Sequence, residues 1–162
     1  MAITPVQPAA ITRFFNVGIT QILWCPTISN TAAPTFTELD NGTELTRDWA
    51  DWSGWTVQTD MIPMPGIQNK FVGQLGGRIT AETSSITFYA DKFASDFRQL
   101  MPRETTGYIV IADGGLASAK GDVFPVQVAT VAKQRGTDKA FQIMYTYAIT
   151  AQPTEDVALP QS

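Results

Sequence analysis

The sequence predicts a mainly β domain in which one amphipathic α-helix covers a face of a sheet. Two observations support this fold class. Segments in the second half of the chain alternate apolar and polar residues with the period of two that marks a half-buried strand. The clearest helical spacing of apolar residues lies in one segment, Asp91 to Met101. A sheet and a helix that share one apolar layer make a stable small domain.

Length and composition indicate a single domain that covers residues 1–162. With 44% hydrophobic residues, the chain can form one substantial core but is too short to expect two. Residues 1–10 and 153–162 each hold two prolines and no periodicity, so we expect both ends to be tails. Only 16% of the residues are charged, which suggests that contacts with other subunits cover part of the surface.

The last third of the chain carries the plainest strand pattern. From Phe141 to Ala151, large apolar residues occupy every second position up to Ile149. A further alternating strand follows Pro125, and residues Arg135 to Asp138 fit a hairpin loop that pairs the two strands antiparallel. The short apolar run Tyr108 to Ala112, which ends in an Asp-Gly-Gly turn, predicts a central strand.

The predicted helix follows a strand expected at Ile79 to Tyr89. Asp91 is a suitable N-cap and Pro102 a suitable stop. The apolar stripe between them lies at positions i, i+4, i+7 and i+8, and we expect it to pack into the core; its members are Phe93, Phe97, Leu100 and Met101.

The first half of the chain is predicted to hold four short strands, separated by turn signals such as Asn41-Gly42. These strands are expected at Thr20 to Cys25, Thr35 to Leu39, Trp55 to Ile62 and Asn69 to Gln74. Thr43 to Trp52 could form a short helix with its large apolar residues on one side.

Residues Trp55 to Gln74, interrupted by a turn at Pro63 to Gly66, are predicted to form an extended arm or loop. The stretch after Asp60 has little charge and would expose apolar area on an isolated subunit. We therefore expect the arm to reach an adjacent subunit. The apolar residues that would make this contact are Met61, Ile62, Met64 and Ile67.

Composition excludes several classes of function. The chain has no histidine and one cysteine, Cys25, so imidazole catalysis, histidine-ligated metals and thiolate clusters are excluded, as is an intrachain disulfide. We expect no catalytic residue, metal or cofactor. A net charge of −4 argues against a protein that grips nucleic acid. No secretory signal and no apolar run of about 18 residues is present, so we expect no membrane span.

An acidic, tryptophan-rich segment leaves two alternatives open. Glu38 to Asp60 holds one arginine against six carboxylates, a net charge of −5. If the segment around Asp48 and Asp51 is helical, these acids could form the carboxylate pair of a glycosidase-like enzyme, although a solvated face is commoner. The adjacent tryptophans, Trp49, Trp52 and Trp55, could contact sugar in a carbohydrate-binding β-sandwich module of a virion or cell surface, although core or interface tryptophans are commoner.

Several stretches carry a family resemblance by their order and spacing. They run from Gly73 to Asp91, from Gly107 to Asp113 and from Val123 to Ala132, with Ala33 to Leu39 before them and Ala148 to Pro153 after them. In this arrangement the chain resembles the major tail tube proteins of long-tailed bacteriophages over about residues 33–160.

The resemblance implies a β-sandwich or half-barrel flanked by one helix, whose sheets join between six subunits into a ring. Rings would stack into a tube that delivers the genome. It also implies a virion tail protein that assembles in the host bacterial cytoplasm and meets tape measure and tail terminator proteins. Closed head-to-tail assembly also removes exposed sheet edges.

The same resemblance implies that DNA passes through the tube without tight binding. Carboxylates on the lumen would repel phosphates, so we expect the lumen to be net acidic or neutral. Candidate lumen acids are Glu82, Asp122 and Asp138.

Overall fold

The computed structural model describes residues 13–93, 97–118 and 120–161. In this part of the chain it contains ten strands, one α-helix and two short 3₁₀ turns. The strands are β1 Gln21–Cys25, β2 Thr43–Glu44, β3 Trp49–Ser53, β4 Val57–Met64, β5 Gly73–Ala81, β6 Ser84–Tyr89, β7 Thr106–Ala112, β8 Lys120–Gln134, β9 Gln142–Ile149 and β10 Thr154–Ala158. The helix α1 is Phe36–Asp40, and the 3₁₀ turns are Thr46–Asp48 and Leu116–Ser118. The predicted fold class, mainly β with one flanking helix, is confirmed.

Eight strands form one antiparallel sheet in the order β2-β1-β7-β8-β9-β6-β3, and β10 also pairs with β8. The predicted strand β1, the central position of β7 and the β8–β9 hairpin are confirmed. Strands β4 and β5 form a separate two-stranded sheet.

The large sheet is rolled into a half-barrel. Its edge strands β2 and β3 are joined by only Leu45 to Asp48, so a trans chain places Glu44 and Trp49 at most about 19 Å apart. A flat path of seven strands would separate its edges by about 29 Å. The sheet must therefore curve, and Leu45 is fully buried where the two edges approach each other.

Hydrophobic clusters lie on both faces of the sheet. The larger one draws residues from β1 and from β6 to β9, on the face that the roll encloses; its largest members are Trp24, Phe88, Phe124, Tyr145 and Tyr147. The smaller cluster lies on the other face, which α1 covers, and includes Leu39 from α1, Val110 from β7, Val123 from β8 and Val157 from β10. Both faces of the central strands are thus covered, which explains the continuous apolar run of β7.

The predicted helix Asp91 to Met101 is not found as such. Residues 94–96 lie outside the described residues, and on either side of them residues 92–93 and 97–100 form turns. The Phe93 side chain is 83% exposed, so its prediction as a core residue is wrong for the isolated chain. Phe97 and Leu100 are half-buried against the larger cluster, and Met101 is fully buried.

Two predictions of secondary structure in the first half of the chain are wrong. The segment predicted as a strand at Thr35 to Leu39 forms the N-cap and most of the helix α1, because Thr35 and Glu38 form a capping box at the start of the helix. Thr43 to Trp52 is not helical and contains β2, a 3₁₀ turn and most of β3. Leu45, just before the 3₁₀ turn, and the two tryptophans of β3, Trp49 and Trp52, pack against the larger hydrophobic cluster.

Two further differences concern strand ends. The strand expected from Ile79 to Tyr89 is divided at Glu82 and Thr83, because its two parts pair in different sheets. The segment predicted as a C-terminal tail contains β10, and Val157 and Leu159 are buried. The predicted N-terminal tail, residues 1–10, lies outside the described residues.

Candidate assembly surface

Strands β4 and β5 and the connecting residues 65–72 form an extended unit that we call the hairpin. Eight residues of β4 give it a length of roughly 25 Å. Almost every residue of both strands is solvent-exposed in the isolated chain. This geometry agrees with the arm expected for Trp55 to Gln74, although the second strand begins later and continues to Ala81.

The hairpin concentrates the exposed apolar side chains of the molecule. Eight of the fifteen large hydrophobic residues that are exposed in the described part of the chain belong to it. They are Met61, Ile62, Met64, Ile67, Phe71, Val72, Leu75 and Ile79. The four predicted arm residues are among them, with exposed fractions from 50% for Ile62 to 107% for Ile67. Exposed apolar patches of this kind are typical of interaction surfaces.

Both faces of the hairpin are apolar. Ile62 pairs with Leu75 across the ladder, while neighbouring Met61 pairs with Gly76. Because successive residues of a strand point to opposite faces, Met61 and Ile62 lie on different sides of the ribbon. A ribbon that is apolar on both sides cannot be covered by lying flat on its own sheet. At least one face of the hairpin therefore stays exposed to solvent in the isolated chain.

A glycine lets the hairpin close at its irregular point. The ladder shifts register between Thr59 and Met61. A Cβ at Gly77 would lie 2.9 Å from Cδ1 of Ile62 and 3.1 Å from the Asp60 carbonyl oxygen. A larger residue there would displace the flexible end of the Ile62 side chain and require the Asp60 carbonyl to shift by a few tenths of an ångström.

The candidate lumen acids do not form one cluster. Glu82 is exposed in the turn between β5 and β6, and Asp138 is exposed in the loop between β8 and β9. Ser84 pairs with Tyr147 near the end of β9, while Asp138 precedes the start of β9, so these two acids lie at opposite ends of that strand. Asp122 is half-buried on β8 and accepts a hydrogen bond from the Asp156 amide at 2.9 Å. Asp122 and Asp156 also raise the pKa of Asp113, after burial as the main cause.

The tryptophans offer no open stacking platform. Trp55 is buried, its Nε1 donates to the Ser85 carbonyl oxygen at 3.2 Å, and its ring packs edge-on against Phe124. Trp49 and Trp52 are half-buried and meet edge-to-face, with ring centroids 5.2 Å apart. These rings pack into or against the larger hydrophobic cluster. They leave no open aromatic face for a sugar, which weakens the carbohydrate-binding alternative.

Asp48 and Asp51, the two carboxylates considered for a glycosidase-like pair, each accept a hydrogen bond from the residue next to them in the chain. Asp48 accepts from the neighbouring Arg47 at 3.3 Å, and Asp51 accepts from the Trp52 amide at 2.9 Å. Within the described residues no group of three or more cysteine or acidic side chains is arranged to hold a metal ion. None of the described helices is long and apolar enough to cross a membrane.

Comparison with known proteins gives a family. The model of the family described as phage tail tube protein matches residues 8–162, nearly the whole chain. The chain belongs to the phage tail tube protein family. As a member of this family it is a structural protein of the virion tail, and the predicted resemblance to the family is confirmed. No curated protein sequence matches it closely enough to count as a relative.

Two solved structures share parts of its geometry. The first, from the cryo-EM structure of the anti-feeding prophage baseplate, 6-fold symmetrised, is 12% identical with a TM-score of 0.49, over 93% of this chain and 98% of that one. The second, the SPP1 Dit protein, described as a paradigm of hub adsorption apparatus in Gram-positive infecting phages, is 10% identical with a TM-score of 0.40, over 82% and 50%. At TM-scores below 0.5, neither likeness bears on the function of the tail tube protein.

Proposed function

We propose that this chain is a major tail tube subunit. Six copies form a ring, and the rings stack into the tube through which the genome is delivered. The observation that carries the proposal is the hairpin, with its two apolar faces and eight exposed hydrophobic side chains. Neighbouring subunits would cover both faces. Burial of apolar surface is the main source of free energy in such association.

The edges of the rolled sheet support ring formation. In the described part of the chain, β2 pairs only with β1, and β3 pairs only with β6, so each leaves an unpaired edge. Unpaired edges invite strand pairing with another copy, and pairing around a closed ring satisfies every one of them. Sheets joined in this way form a continuous inner barrel.

The remaining parts of the proposal follow from the same role. A tube subunit has no need of a catalytic centre, and its family is structural. Its partners would be other copies of itself, with tape measure and tail terminator proteins inside and at the end of the tube. Assembly would take place in the host bacterial cytoplasm before the virion is released.

The test is the size and shape of the purified protein. Negative-stain electron microscopy and sedimentation velocity at micromolar concentration should show rings or tubes with a central channel. A carbohydrate-binding module or a glycosidase would stay small, and purified protein that remains monomeric at high concentration would contradict the proposal.

A further inference from the structure

A groove of about 440 Å³ lies beside α1 and β2, and we call it the α1 groove. Its apolar lining includes Leu23, Leu39, Leu116 and Phe36, and Phe36 is 46% exposed. Two carboxylates, Asp40 and Glu44, also line it. None of the described residues that line the groove is basic, so the site is apolar with a net negative rim.

The connecting loop of the hairpin has the complementary character. Ile67 and Phe71 are 107% and 83% exposed, and Lys70 lies between them in the chain. Residues 61–81 hold two basic residues, Lys70 and Arg78, and no acidic one. An exposed aromatic anchor beside a single cation is the kind of element that fills an apolar pocket with an acidic rim.

We propose that the α1 groove of one subunit receives residues Ile67 to Phe71 of a second copy, with Lys70 beside Asp40 and Glu44. This inference rests on the proposed self-assembly and names its contact. Burial of Phe71 against Phe36 would cover two exposed aromatic side chains in one step. The N-terminal segment, residues 1–12, is the other occupant to test, but it contains no charged side chain to match the rim.

Charge reversal tests the pairing. Lys70→Glu, and separately Asp40→Lys with Glu44→Lys, should each lower the fraction of protein in tubes by roughly tenfold or more, because like charges then face each other. Combining all three substitutions should restore assembly to near the wild-type level. Lys139→Glu, at an exposed lysine outside the hairpin, is the matched control and should assemble normally.

Cross-linking tests the location directly. Thr37→Cys on α1 and Gln68→Cys on the loop are both exposed and leave the apolar residues in place, while native Cys25 is buried. In assembled protein a short thiol-reactive cross-linker should join Thr37→Cys to Gln68→Cys of another chain, giving ladders on denaturing gels.

The outcomes separate this inference from the proposed function. If wild-type protein forms no rings or tubes, self-assembly itself is contradicted, and this contact with it. If wild-type tubes form but Lys70→Glu assembles equally well, or the triple variant is not restored and no ladder appears, the contact is wrong while self-assembly stands. A ladder from Ile3→Cys in place of Gln68→Cys would assign the groove to the N-terminal segment and overturn the proposal.

Discussion

The ring of Phe97 lies edge-on against that of Phe88, with centroids 5.1 Å apart and an interplanar angle of 64°. Phe88 is almost fully buried on β6, so this contact attaches the segment after residue 96 to the larger core cluster. Because Phe97 is only half-buried, Phe97→Ala should lower the free energy of unfolding by roughly 2 kcal/mol, less than the ~3–5 kcal/mol of a fully buried phenylalanine. Urea unfolding followed by circular dichroism measures the change.

Phe93→Ala is the matched control for that measurement. Its ring is 83% exposed and lies 5.9 Å from the Lys92 ammonium. Removing it from the monomer should change the unfolding free energy by less than about 0.5 kcal/mol. A loss as large as that of Phe97→Ala would show that Phe93 packs into the core after all.

The contrast between these two residues shows where periodicity is informative. Alternation in β9 predicted its buried side chains correctly, because a strand at the centre of a sheet is packed along its whole length. The stripe from Phe93 to Met101 was also regular, but a single short segment packs only where the rest of the fold provides a surface. Phe97 and Met101 pack against the larger hydrophobic cluster, whereas Phe93 is exposed to solvent.

Glu38 should make stability depend on pH in acid. Its carboxylate accepts hydrogen bonds from the Ser29 hydroxyl, the Thr35 amide and the Ser29 amide, and these hold its pKa at about 2, below the ordinary 4.5. A lowered pKa in the folded state means that the stabilisation is present above pH 4.5 and is lost as pH falls toward 2. Glu38→Gln should therefore lower the Tm at pH 7, and the difference from wild type should shrink steadily below pH 4.5.

Glu155→Gln provides the comparison, since Glu155 is solvent-exposed on β10. Its Tm should follow that of the wild type throughout this range. A Glu38→Gln penalty that stays constant down to pH 2 would contradict the role given to the ionised carboxylate.

The capping box was present in the sequence as Thr35-x-x-Glu38 and is a start signal for a helix. The prediction of a strand at Thr35 to Leu39 did not use this signal, and a window of five residues is short enough to fit either a strand or a helix. Other features depend on distant pairing and have no local signal. The break at Glu82 exists because β5 pairs with β4 and β6 with β9, and β10 has little strand character apart from β8. The exposed hairpin agrees with the sequence pattern because its prolines, its turn residues and its lack of charge after Asp60 are visible locally in the sequence.

Shortening the hairpin should separate folding from assembly. Deleting Ile62 to Ile67 removes much of the apolar surface but no residue of either core cluster. The variant should unfold with nearly wild-type cooperativity and form no tubes, as judged by circular dichroism and electron microscopy. A milder pair of substitutions, Met64→Gln with Ile67→Gln, keeps the length and should weaken assembly in the same direction. Tubes of normal length from the deletion would contradict the role of the hairpin.

Assembled tubes should release DNA readily. A lumen rich in Lys or Arg from many copies would multiply phosphate contacts, and each contact steepens the dependence of affinity on salt. We expect wild-type tubes to retain no measurable duplex DNA at moderate salt, as measured by co-sedimentation with labelled fragments. Tight, salt-sensitive retention would contradict a conduit, because a surface that holds phosphate cannot release a genome quickly.

Charge reversal identifies which acids face the lumen. Glu82→Lys, Asp122→Lys and Asp138→Lys each place one new cation per subunit, and therefore a ring of cations wherever that position lines the channel. For a lumen position, DNA retention should rise and the slope of log affinity against log salt should become steeper by several units. Because Glu82 and Asp138 lie at opposite ends of β9, they need not both face the channel, and the salt slope distinguishes them. If tubes of all three variants release DNA as freely as the wild type, the lumen is lined by other residues and the assignment of these acids is wrong.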